Sequence, residues 1–428
     1  MAQRRQKPVS YQALKTIMEH LEANKRYSLA ARCPSVRKIH EIVPLTIQYL
    51  KLQENSITLN SREHIFQTSM DYPYSTCFQQ NQINGKIDFD LDQFGNRDQN
   101  PEIMFGDLEL RGHTEQLAVG QAGRINEALF QAVLPDIIRE NQRNLVRNQN
   151  YSAGGWQRYR SWVVCTFERI SNPEITQYTV KYPEHFNIKS ALRNHLGRIF
   201  NSETLVKYLD VDISIGILRF PENFKIRVHA LSVKSGVLNT ISEVLTTSSF
   251  PLKQLTLEPM TLTTPDFQHE HLLSSEFLHI IWAFVDEELI DTIKNLPNRN
   301  IHLSGGLISS LEAVVYNWAT PTKPIGTKLS IQHPDVEGYL NLILDDMAVL
   351  RNVLPDRKSA EFPYCATVHS NDVEDNWELN IYGDKISNYE GKLINNNDEN
   401  PWMLVLEIME KGSAKPDEQR SRKREHSV

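Results

Sequence analysis

Six short apolar segments recur at nearly fixed intervals between about Leu205 and Met347, and the rest of the chain is arranged around them. They lie at residues 206–211, 228–233, 252–257, 277–281, 301–303 and 327–331. Aligning Leu209, Leu231, Leu255, Ile280, Leu303 and Leu329 gives steps of 22, 24, 25, 23 and 26 residues. Each segment has the length and β-branched content of a strand, and helical spacing comes after most of them. Val237, Ile241, Val244 and Leu245 form one helical face, and Leu289, Ile290, Ile293 and Leu296 a second. Leu311, Val314, Val315 and Trp318 form a third. A strand and a helix within about 20 to 29 residues cannot bury an apolar face alone and must stack on neighbours. The pattern therefore predicts a parallel sheet with helices outside it.

Two α/β architectures fit that pattern: a degenerate leucine-rich-repeat-like solenoid, or an ordinary α/β domain. Ahead of it, residues 8–44 predict a small helical unit. Ser10 is placed to cap a first helix, and Leu14, Ile17, Met18 and Leu21 share its face. Pro34 and Pro44 interrupt the helical run after it. Residues 45–150 predict two short strands within 45–59, then a polar excursion with little fixed structure from Ser61 to about Pro101. A strand within 104–110 and a helix across 124–148 complete this region. The α/β body spans 151–410, with strands at 162–167 and 175–180 and a helix at 188–200. It ends in an antiparallel cap of three strands at 362–368, 377–382 and 402–409. Residues 412–428 read as a polar, disordered tail with a basic cluster at Arg420, Arg422, Lys423 and Arg424.

Composition narrows the function classes. The net charge of −7 provides no basic field for nucleic acid. No apolar run approaches the roughly 18 residues of a membrane span, and residues 1–8 lack the apolar core of a secretory signal. The four cysteines are scattered without CxxC spacing, the usage of a reducing compartment, so the expected location is cytoplasmic or nuclear. No motif of a serine hydrolase, phosphate-binding loop, zinc protease or dinucleotide fold is present. His269-Glu270-His271 lacks a third ligand, and Ser304-Gly305-Gly306 reads as a tight turn between strand and helix rather than an anion cradle. The expectation is a non-enzyme with no metal, no cofactor, and protein partners rather than nucleic acid or membrane.

A strand–helix repeat also offers a surface. Residues between the buried leucines build one face across neighbouring strands, here Lys207, Ser232, Lys234, Thr256, Glu258, His302, Lys328, Ser330 and Gln332. Their mixed polarity suits a protein partner and equally suits a solvated face.

Pro8, Leu14, Ile17, Leu21, Leu29, Arg32 and Cys33 resemble a degenerate F-box, and the fuller likeness is to the nematode F-box C group. That likeness also rests on Gly216-Ile217-Leu218-Arg219-Phe220-Pro221, the stretch Ser249 to Leu257, and Trp402 to Pro416. Where an F-box carries an acidic residue and a tryptophan, this chain has Ser10 and no tryptophan. The resemblance implies a substrate-recognition adaptor of a cullin–RING ubiquitin ligase. Pro8, Leu14, Ile17 and Leu21 would then bind a Skp-type linker. The other reading makes the helical unit a structural cap on the repeat body of a scaffold protein.

Overall fold

The computed structural model describes residues 9–71, 86–87, 103–110, 160–169, 178–183, 186–213, 216–258, 265–281, 284–285, 287–304, 307–308, 311–319, 323–333, 335–346, 349–355, 364–369, 376–385 and 402–416. The chain divides into two compact units, Met1–Arg227 with Thr240–Leu245, and Val228–Asn239 with Thr246–Val428.

The first unit opens with three helices, α1 (Tyr11–His20), α2 (Ala23–Arg32) and α3 (Pro34–Ile42). Ser10 caps α1 by accepting from the Ala13 N–H at 3.2 Å, and Pro34 begins α3, where its missing N–H costs nothing. Met18 of α1 packs with Val36, Ile39 and Val43 in a core between α1 and α3, with Leu14, Leu21 and Cys33 packed at its margin. Strands β1 (Leu45–Ile47), β2 (Leu50–Leu52), β3 (Ser56–Leu59) and β4 (Arg62–Asp71) come next. After β5 (Lys86–Ile87) and β6 (Asp107–Leu110) come β7 (Arg160–Arg169), β8 (Tyr178–Lys181), α4 (Ile188–Ile199), β9 (Thr204–Val211) and β10 (Gly216–Arg219). β9 runs parallel to both β1 and β2; β2, β3, β4, β7 and β8 continue antiparallel, and β5 adds to β4. β6 and β10 form a separate antiparallel pair.

The polar excursion expected from Ser61 is corrected at its start. Arg62–Asp71 is a strand paired with β7 from Arg62↔Arg169 to Asp71↔Arg160. Its buried positions are His64, Phe66 and Thr68, so the period-2 signal is carried mainly by polar residues. The helix expected at 124–148 lies outside the described residues.

In the second unit β11 (Arg227–Lys234), α5 (Leu238–Ser242), β12 (Gln254–Glu258), α6 (Glu270–Leu273), β13 (Phe277–Ile281) and β14 (Phe284–Val285) come first. Next are α7 (Glu287–Lys294), β15 (Asn300–Ser304), β16 (Leu307–Ile308), α8 (Leu311–Trp318), β17 (Lys328–Gln332) and α9 (Val336–Asp346). The unit ends with β18 (Leu350–Val353), β19 (Cys365–His369), β20 (Trp377–Lys385), β21 (Trp402–Glu410) and β22 (Lys415–Pro416). The division between units falls at the start of β11 and within α5.

β11, β12, β13, β15 and β17 form one parallel ladder. Antiparallel β21, β20, β19, β18 and β22 extend it in that order, so the C-terminal strands continue the sheet. β14 and β16 make a small parallel pair of their own, and in neither unit do the described pairings close into a barrel.

The expected leucines are all buried, but their register differs from the alignment. Leu231 lies opposite Leu255, Leu255 opposite Leu278, Leu278 opposite Ile301 and Ile301 opposite Leu329. Ile280 and Leu303 belong to the next buried row, with Val233, Leu257 and Ile331. The structural steps are therefore 24, 23, 23 and 28 residues (231, 255, 278, 301, 329). Leu209 sits on β9 in the first unit. The tail boundary also moves: β22 pairs with β18, and the basic cluster from Arg420 lies outside the described residues.

Candidate interaction surfaces

Strand alternation puts a polar row on the face opposite the leucines. Ser232, Thr256, His279, His302 and Ser330 stand in register on consecutive strands. Hydrogen bonds join them sideways. His279 lies 3.4 Å through Nδ1 from Thr256 Oγ1 and 2.7 Å through Nε2 from Ser304 Oγ. His302 Nδ1 lies 2.9 Å from Ser330 Oγ. Thr256, His279, His302 and Ser330 are buried; burial, which disfavours the imidazolium, lowers His279 to about 4 and His302 well below its ordinary value. The row is thus a neutral, hydrogen-bonded support. Lys234, Ser304 and Gln332, on the same face toward the strand ends, are half-buried, and Glu258 is exposed. Lys328, at the other end of the face, is also half-buried.

Lys207 is separate from this set. It belongs to β9 of the first unit, and strand parity places it on the side of Leu209 and Val211. His279 and Ser304, missed in the sequence reading, stand beside the buried Ile280 and Leu303, so alternation alone places them on this face in either register. The His279–Ser304 pair has nucleophile–base spacing, but Nδ1 meets a threonine hydroxyl where a triad would place a carboxylate.

The N-terminal helices present a different surface. Pro8 lies outside the described residues. Leu14 and Leu21 are half-buried against the helical core, whereas Ile17 is 49% exposed. Val9, Tyr11, Leu29 and Ile42 are also exposed. Beneath them Arg26 is buried and donates to the backbone oxygens of Met18, His40, Val43 and Pro44 and to His40 Nδ1. Burial lowers the guanidinium to about 10. Because His40 Nδ1 accepts from Arg26, its proton sits on Nε2, which faces the Arg198 and Ile199 oxygens at 3.1 Å. Asn201 donates to the His40 and Val43 oxygens.

Sequence reading also missed a buried array behind α2. His64 Nδ1 and His195 Nε2 are 2.7 Å apart, and His195 Nδ1 meets the hydroxyls of Tyr27 and Tyr182 at 3.1 and 3.2 Å. One proton lies between the two rings. In either tautomer pair His64 Nε2 is buried without a hydrogen-bond partner among the described residues. Burial pushes His64 down to about 3 and His195 well below its ordinary value, so both are neutral near pH 7.

A turn at Ile103, Met104 and Phe105 is exposed, and Phe105 is 86% so. Asp107 anchors it, ion-paired to Arg193 and Arg219 and accepting from the Met104 N–H at 3.0 Å. Gly106 has φ +92°, and a Cβ there would stand 2.6 Å from the Phe220 and Pro221 oxygens, so only glycine fits.

His269 and His271 are engaged locally: His269 accepts from the His271 N–H, and His271 stacks on Phe250. Among the described residues no three His, Cys, Asp or Glu side chains gather as a metal site. No described helix is long and apolar enough to cross a membrane.

These features define a mixed α/β protein with a large sheet and several helices, bearing polar and apolar surfaces. Residues 187–333 match a family described as a domain of unknown function (DUF3557). No curated protein and no solved structure matches the chain.

Proposed function

We propose that this protein is a protein–protein interaction adaptor, the substrate-recognition subunit of a Skp–cullin–F-box ubiquitin ligase acting in the cytoplasm or nucleus. Helices α1–α3 are its F-box-like docking piece for a Skp-type linker. The β11–β17 ladder is a degenerate leucine-rich-repeat-like solenoid that selects the target through the accessible residues at its strand ends, Lys234, Glu258, Lys328 and Gln332, and not through the buried Thr256, His302 and Ser330. The ladder's in-register parallel strands and helical connections support that reading. Ile17 carries the docking role: it is half-exposed on a helix whose neighbouring Met18 is fully buried. An apolar side chain left in water beside a complete core gains free energy from a partner, about 1.5–3 kcal/mol when fully buried.

A second reading, in which α1–α3 only cap the body of a scaffold protein, is favoured by the bonds from Arg26, His40 and Asn201. A pull-down with purified Skp-type linker separates the two. Wild type is expected to capture the linker. Ile17→Glu is expected to lose about ten- to hundredfold in affinity with stability changed by no more than about 0.5 kcal/mol. Wild type that is folded yet captures no linker overturns the adaptor reading in favour of the cap.

A further inference from the structure

We draw no further inference here: the strongest candidate, the exposed apolar turn Ile103–Met104–Phe105 anchored by Asp107 on Arg193 and Arg219, is an unpartnered patch, and nothing in the structure shows what covers it.

Discussion

His64 and His195 share one proton inside an apolar surround that includes Phe66 and Phe167. Both imidazoles are held below 6.5 in the folded chain, whereas an unfolded chain binds their protons from about pH 6.5 downward. The unfolded state then binds more protons, so stability falls with pH, by about 1.4 kcal/mol per unit for each fully neutral histidine. For His64 the loss runs from 6.5 down to about 3. Urea denaturation at pH 7 and pH 5 checks it in a window where carboxylates contribute little. The midpoint is expected to be clearly lower at pH 5, and an unchanged one would mean the rings are solvated. Arg26 makes a second expectation. Its fork bridges four backbone oxygens and a histidine nitrogen. Arg26→Ala should cost about 3–5 kcal/mol in equilibrium unfolding. Arg26→Lys should not restore it, because a point ammonium cannot span the same acceptors.

On the ladder, Ser330 is the partner of His302 Nδ1 and is itself buried. Ser330→Ala leaves that nitrogen without the serine hydroxyl and should cost about 1–3 kcal/mol, far more than the lost oxygen would at a surface. Thermal unfolding of the two chains measures it. The leucine period made these strands legible, because β-branched and leucine positions keep their spacing even where the connections vary. Register was less legible. Leu278 and Ile280 are both buried and two residues apart, so composition does not say which stands opposite Leu255. β4 was illegible for a different reason: its inward set of His64, Phe66 and Thr68 looks polar, and only distant Tyr27, Tyr182 and His195 make a buried histidine possible. The three helices of the N-terminal unit were legible, but not which of their residues form the core. Leu14, Ile17 and Leu21 share one face by spacing, yet the packing of α3 covers the first and last and leaves the middle one open.

For the whole molecule, the family match and the architecture have different boundaries. Residues 187–333 take in α4 and β9 of the first unit and the parallel ladder of the second. Excised, they lose β1 and β2, which pair with β9, and β21, which pairs with β17. The fragment should therefore lack a cooperative thermal transition, while residues 9–416 show one; circular dichroism on both chains decides it. The same pairing governs the order of events during synthesis. Leu45 of β1 pairs with Thr204 of β9, 159 positions later (204 − 45), and Arg62 pairs with Arg169, 107 later (169 − 62). At about 5–20 residues per second, β1 emerges from the ribosome some 8 to 30 seconds before its partner exists. Through that interval the apolar side chains of α1–α3 stand on a nascent chain whose body is still unmade, open to any chaperone waiting at the tunnel exit.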